Sequence, residues 1–221
     1  GLPKAELALT TNGLLLARQA PALRRAGLDA VNVSLDSPDA EGFARVTRGG
    51  ELDSVLEGIR EAKSVGFEGI KLNAVLMKGY NGGRLAALAR LAASLGCEIR
   101  FIELMPYGEG GALFGKDYFS AEEALRELTT QMEYVHSLPG HPTARRHLLR
   151  DGGQDVRVGF ITTMSDPFCG DCDRIRLDSR GRLFTCLRDE GGTDLAGFLR
   201  GGDLSSVRES ARAAVGSKRP P

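Results

Sequence analysis

Three of the chain's four cysteines stand close together: Cys169-Gly170-Asp171-Cys172, then thirteen residues, then Cys186. The two thiolates of a C-x2-C pair can share one metal or one iron–sulfur cluster, and Cys186 can return across a hairpin as a third ligand. Three protein ligands leave one metal position open. Spacing alone leaves three readings: a cluster, a zinc site completed by His147 or Asp173, and a loop with incidental cysteines. Just after the pair comes Arg174-Ile175-Arg176. On a predicted strand the two arginines point to one face. Their planar forks suit phosphate or a purine edge, against the plainer reading of a solvated strand face. Cys97, between Gly96 and Glu98, reads as a small buried thiol and stays outside the site.

A second group lies on apolar strands. Lys71 alternates with Asn73, and Arg100 shares a face with Ile102 and Leu104. A cation within an apolar parallel strand is costly unless it meets an anion, which makes Lys71 and Arg100 ligand candidates. Thr10-Thr11-Asn12-Gly13 and Ser34-Leu35-Asp36-Ser37 fall at the ends of predicted strands, where α/β proteins bind ligands. Turn and cap chemistry alone also accounts for both. Met105 reads equally well as core packing.

The elements that must hold these residues follow from periodicity. Over the first ~108 residues strand and helix patterns alternate. Strands are predicted at Glu6–Thr11, Ala30–Leu35, Ile70–Met77 and Glu98–Leu104, with helices at Leu14–Ala26, Leu52–Val65 and Leu85–Leu95. Ser37 is expected to cap a further helix with Pro38 in its first position. Such alternation means βαβ units on a parallel sheet, here half a barrel or a small open sheet. After Pro106 the pattern changes. Gly108–Gly111 and Gly115 suggest a flexible connection, and Ser120-Ala121-Glu122-Glu123 a capping box opening a helix to about Met132. Ser137–Thr143 reads as a Pro/Gly loop. Arg145–Leu149, Val156–Thr162, Arg174–Leu177 and Leu183–Leu187 read as strands, with a turn at Ser179–Arg182. Thr193 is expected to start a short helix, and Ser217–Pro221 to be an unstructured tail.

Composition narrows the classes. Lys+Arg and Asp+Glu number 29 each, so no overall field favours nucleic acid or an anionic membrane. No apolar run approaches the roughly 18 residues of a spanning helix, and Gly1-Leu2-Pro3-Lys4 opens no signal peptide. Four cysteines are too few for a disulfide framework, so a reducing cytoplasm is the expected setting.

Thr-Thr-Asn-Gly, Val-Asn-Val-Ser-Leu-Asp-Ser, Lys-Leu-Asn-Ala-Val-Leu-Met, Arg-Phe-Ile-Glu-Leu-Met and Asp-Pro-Phe-Cys-Gly-Asp-Cys-Asp-Arg-Ile-Arg-Leu occur here in order. Together they resemble the molybdenum cofactor biosynthesis protein A family, GTP 3′,8-cyclases of the radical S-adenosylmethionine (SAM) superfamily, from about Leu9 to Leu199. The resemblance implies an α/β fold: a partial TIM-like radical SAM barrel in residues 1–108, then an α+β iron–sulfur domain in 109–221. It implies that Cys169, Cys172 and Cys186 ligate a 4Fe-4S cluster whose open iron meets guanine. Arg174, Ile175 and Arg176 match the family's GTP-binding segment; Thr10, Lys71 and Arg100 would reach GTP, and Ser34 and Met105 would contact SAM. In the family reaction a 5′-deoxyadenosyl radical abstracts the ribose 3′-hydrogen and the sugar radical attacks guanine C8. The implied partners are GTP, a downstream cyclic pyranopterin monophosphate synthase and a second copy in a homodimer, with no nucleic acid and no membrane. The family's C-x3-C-x2-C motif, which binds the SAM-cleaving cluster, is absent, as is the C-terminal Gly-Gly. SAM and that second cluster are therefore expected only in a full-length protein. The expectation is a fragment not competent alone; the alternative is a short non-catalytic nucleotide- or zinc-binding paralogue.

Overall fold

The alternation expected over the first half is present in the computed structural model, which describes residues 5–140, 143–189 and 191–218. The strands and helices run β1 (Ala8–Thr11), α1 (Leu16–Arg25), β2 (Ala30–Ser34), α2 (Ala40–Thr47), α3 (Leu52–Ser64), β3 (Lys71–Leu76), α4 (Lys78–Asn81), α5 (Leu85–Ser94) and β4 (Glu98–Glu103). They continue through α6 (Glu109–Asp117), α7 (Ala121–Thr129), β5 (Glu133–Leu138), β6 (Arg145–Asp151) and β7 (Gln154–Ile161). One sheet takes the order β1-β2-β3-β4-β7-β6-β5. β1 to β4 and β7 are parallel, while β6 runs antiparallel to both its neighbours.

The two faces of this sheet differ because its strands alternate. Val31, Val33, Leu72, Ala74, Leu76, Ile99 and Phe101 point to one side and are buried. There they form one core with Leu16 and Ala20 of α1, Val55 and Ile59 of α3, and Leu85, Leu88 and Ala92 of α5. α1 and α3 meet closely at Gly58, where an added Cβ would sit 2.9 Å from the Leu16 Cβ and 3.0 Å from the Gly13 carbonyl. On the other side the same strands present Asn32, Ser34, Lys71, Asn73, Glu98 and Arg100, all half-buried. Parallel strands buried on both faces read as continuous apolar runs. Here only the helix-covered face is apolar.

Several local expectations change. Asp39, not Ser37, caps α2: its carboxylate accepts from the Gly42 N–H at 2.9 Å, whereas the Ser37 hydroxyl donates to the Asp39 carbonyl. The glycine-rich stretch after Pro106 is helical as α6. Gly110 permits this, since a Cβ there would fall 2.4 Å from the Met105 carbonyl oxygen. The loop expected at Ser137–Thr143 starts later, because β5 runs from Glu133 through Leu138; residues 141 and 142 lie outside the described residues. Leu104 leaves the face of Arg100 and Ile102, because β4 ends at Glu103 and both Glu103 and Leu104 are buried. The capping box is present, with Ser120 Oγ accepting from the Glu123 N–H at 3.2 Å and Glu123 Oε2 accepting from the Ser120 N–H at 2.9 Å.

The chain divides into compact units at Pro167/Phe168. Strand–helix alternation ends near residue 108, but β7 pairs with β4 and carries β5 and β6 into the first unit. The second unit begins with a 3-10 turn at Cys169–Asp171, followed by β8 (Arg176–Leu177), β9 (Arg182–Phe184), β10 (Thr193–Asp194), α8 (Ala196–Gly201) and α9 (Leu204–Gly216). Its three strands form an antiparallel sheet in the order β10-β9-β8. Leu183, Leu195 and Ala214, with Val207 and Ala211, make a small separate core. The predicted strand at Arg174–Leu177 is shorter, starting at Arg176, and the helix expected from Thr193 starts at Ala196. α9 occupies residues for which no helix was expected. Ser217 and Lys218, placed in the expected tail, cap α9; residues 219–221 lie outside the described residues.

Candidate functional site

The polar face of the first sheet brings together Thr10, Ser34, Lys71 and Arg100 of the expected contact residues. Parallel register sets Thr10, Asn32, Lys71 and Glu98 in one row across β1 to β4. The row two residues on holds Ser34, Asn73, Arg100 and Gly159. Thr10 is exposed on the edge strand. Gly159 leaves room for Arg100, whose Cγ lies 3.3 Å from where a Cβ would be.

The two strand cations are satisfied differently. Arg100 Nε donates to Glu98 Oε1 at 3.0 Å, and Arg146 of β6 approaches Glu98 Oε2 at 2.6 Å through Nη2. Burial opposes ionisation of Glu98, but the Arg146 and Arg100 guanidiniums outweigh it and hold its pKa below the usual glutamate value. Arg100 therefore finds its anion within the protein. Among the described residues no hydrogen bond or ion pair engages the Lys71 side chain. Beside it on the same face, the Asn73 amide oxygen is buried without a partner. Buried polar groups are ordinarily paired, so Lys71 and Asn73 keep hydrogen-bonding capacity that the protein itself does not fill.

At the strand ends, turn chemistry is real. Thr11 Oγ1 accepts from the Gly13 N–H at 3.1 Å, and Asn12 Oδ1 from the Leu14 N–H at 3.2 Å. Asp36 Oδ1 accepts from the Val75 N–H at 2.7 Å, and burial pushes its carboxyl pKa up. Met105, half-buried, lies two residues past β4. Before it, Glu103 is 1% exposed and accepts from the backbone N–H groups of Ala121, Met164 and Ser165. Sequence reasoning did not single out Glu98, Glu103 or the orphaned state of Asn73. Polar residues alternating through parallel strands were the available signal for the face.

In the second unit Cys169, Cys172 and Cys186 are free thiols, the first two half-buried and the third exposed. Arg188 touches two of them: its backbone N–H lies 3.5 Å from Cys186 Sγ and its guanidinium 4.0 Å from Cys169 Sγ. Lys218 Nζ lies 3.3 Å from Cys172 Sγ. Burial disfavours the Cys172 thiolate, but the Arg174 backbone N–H and the Lys218 ammonium outweigh it, and its pKa falls below that of an ordinary thiol. Arg174, Ile175 and Arg176 are exposed, and the Arg174 guanidinium stands 5.3 Å from the Phe168 ring centroid. Among the described residues no three Cys, His, Asp or Glu side chains converge to hold a single metal ion. His147 belongs to the first unit, where its ring packs against Tyr134 and Phe160. Three soft, free sulfurs suit an iron–sulfur cluster, whose cysteines bind separate irons rather than one shared ion.

Two family descriptions match the sequence: Molybdenum Cofactor Synthesis C over residues 97–221, and the Radical SAM superfamily over residues 1–92. The first spans more than half of the chain. This protein belongs to the Molybdenum Cofactor Synthesis C family. Relatives named GTP 3′,8-cyclase are similar through both matched regions. That of Peptoclostridium acidaminophilum is 41% identical over 90% of this chain and 60% of its own length. That of Heliobacterium modesticaldum is 42% identical over 89% of this chain and 61% of its own. The Rhodobacter capsulatus protein is 40% identical over 96% of this chain and 65% of its own. The chain thus spans roughly three fifths of the length of the curated relatives it matches. The residues that match the Radical SAM superfamily description hold β1 to β3 of the parallel sheet. No helix among the described residues is long and apolar enough to cross a membrane.

Proposed function

We propose that this chain is the GTP- and cluster-binding part of a GTP 3′,8-cyclase, which cyclises GTP to (8S)-3′,8-cyclo-7,8-dihydroguanosine 5′-triphosphate at the first step of molybdenum cofactor biosynthesis. Family membership and the named relatives support the reading. The observation that carries it is the half-exposed polar face on which Lys71 stands without an anion beside the unpartnered Asn73 oxygen. Lys71 would take the triphosphate as a point charge, while Arg100 would reach it only by sharing or leaving Glu98. Thr10 would contact the same nucleotide, and Ser34 and Met105 would contact SAM. In the second unit Cys169, Cys172 and Cys186 would hold a 4Fe-4S cluster. When bound, that cluster supplies an open iron for the guanine. Arg174, Ile175 and Arg176 would flank the base, with the Arg174 fork braced on Phe168.

In this reading residues 1–108 are the C-terminal part of a radical SAM barrel and 109–221 the cluster domain. The four cysteines cannot also form a C-x3-C-x2-C motif, so the chain by itself is not expected to cleave SAM. A cytoplasmic setting suits its free thiols. A downstream cyclic pyranopterin monophosphate synthase would consume the product, and a homodimer is the expected assembly. Anaerobic reconstitution tests the proposal. About four irons per chain are expected, with GTP binding lost in Cys186→Ala. Zinc uptake without iron would sink it in favour of a zinc-binding paralogue.

A further inference from the structure

We propose that Lys218 is a positioning residue for the cluster, pinning the Cys172–Arg174 segment and donating a hydrogen bond to the Cys172 sulfur. The inference rests on the reading that the three cysteines hold a 4Fe-4S cluster. An ammonium has three donors and no acceptor. Those of Lys218 meet the Cys172 carbonyl at 2.5 Å, the Arg174 carbonyl at 3.0 Å and Cys172 Sγ at 3.3 Å. All three fall within one three-residue stretch. That stretch joins a proposed cluster ligand to the first arginine of the proposed guanine segment.

Lys218 is itself held in place. Asp203 caps α9 by accepting from the Ser206 N–H at 3.1 Å and the Ser206 hydroxyl at 2.6 Å. Val207, Ala211 and Ala214 of α9 pack with Leu183 of β9 and Leu195. At the other end the Ser217 N–H bonds the Ala213 carbonyl at 3.0 Å, and the Lys218 N–H bonds the Val215 carbonyl at 3.1 Å. The small core of the second unit thereby delivers one ammonium to the C-x2-C segment. The residues around a cluster's ligands fix their orientation, and hydrogen bonds to ligand sulfurs help to set its reduction potential. A donor on the Cys172 sulfur stabilises the more negative, reduced cluster, so its removal makes reduction harder.

The test uses the whole chain as wild type, Lys218→Met and Lys218→Arg. Met keeps most of the side-chain length without any donor; Arg keeps the charge and the donors. In the metal-free proteins, amide hydrogen exchange across residues 170–176 should run about tenfold faster in Lys218→Met, with protection restored by Arg. After anaerobic reconstitution the cluster of Lys218→Met should show a more negative midpoint potential, again recovered in part by Arg. Unchanged exchange, or an unchanged potential, in a Lys218→Met protein beside a cluster-bearing wild type overturns this inference alone. A wild-type chain that takes up no cluster overturns the cluster reading and this inference with it.

Discussion

Replacing Glu103 by Gln asks how much of the first unit depends on one buried carboxylate. Oε1 accepts from the Ala121 N–H at 2.8 Å and from the Ser165 hydroxyl, and Oε2 from the Met164 and Ser165 N–H groups at 2.8 and 2.9 Å. Glutamine keeps the shape but turns one acceptor into an NH2 donor. With the NH2 at Oε2, two backbone N–H groups face another donor. With it at Oε1, only the Ala121 N–H does, because the Ser165 hydroxyl can turn and accept. The second orientation is lower in energy. One stranded buried N–H costs about 1–3 kcal/mol, and the two surviving bonds lose their charge assistance, about 1 kcal/mol more. Glu103→Gln should therefore destabilise by about 2–4 kcal/mol, a large share of the ~5–15 kcal/mol that holds a typical domain. Glu103→Ala strands every donor and should cost more. Urea unfolding reads this as a midpoint lower by about 1–2 M at an m-value near 2 kcal/mol per M. A midpoint within about 0.3 M of wild type, or a Gln variant as damaged as the Ala variant, would refute the reasoning. Tyr118 supplies a second readout: burial, and then the Glu103 charge, hold its phenol pKa above the ordinary value. Its titration should move down in Glu103→Gln.

Lys71→Ala should weaken GTP binding by roughly 10- to 100-fold while leaving thermal stability nearly unchanged, since no internal partner is lost; calorimetric titration and a melting curve check both. Asn73→Ala removes a buried acceptor that has no partner, so stability should hold or rise by up to about 1 kcal/mol, and a loss above that in urea unfolding would contradict the orphaned state. Glu98 carries a depressed pKa in the folded chain, so its stabilising effect is present above the ordinary carboxylate value of 4.5 and fades as pH falls below it. Stability measured from pH 6 to pH 3 should fall less steeply in Glu98→Gln than in wild type; parallel curves would count against the Arg100–Glu98–Arg146 arrangement.

β1 was legible as a short apolar run ended by Asn12-Gly13, and β2 to β4 because they alternate apolar and polar residues, a period that survives any uncertainty about strand ends. The same reading singled out Lys71 and Arg100 as cations within apolar strands. The Arg100–Glu98 pair was readable in principle, two residues apart on one face of β4, but Arg146 reaches Glu98 only through a pairing order in which β7 lies between β4 and β6. That order is set by tertiary packing and leaves no local trace. α6 was hidden by glycines, which ordinarily weaken a helix but here allow close approach to the Met105 carbonyl. α9 was readable in principle: Leu204, Val207, Ala211 and Ala214 follow a helical period behind an Asp203 cap. Its small residues gave too weak an apolar stripe to stand out. The cysteine motif announced its own chemistry, whereas Lys218 is distant in sequence from Cys172 and became visible only in three dimensions.

The chain is formally neutral, yet its polar sheet face is not. Lys71, Arg100, Arg146 and Arg157 stand there against Glu98, four cations to one carboxylate and a surplus of three positive charges across these rows. Neutrality of the chain as a whole removes any long-range pull on polyanions such as nucleic acid. The surplus is felt only within about one Debye length, ~8 Å at physiological salt. Charge here acts as a short-range filter: an anion must already fit against the sheet before the protein attracts it.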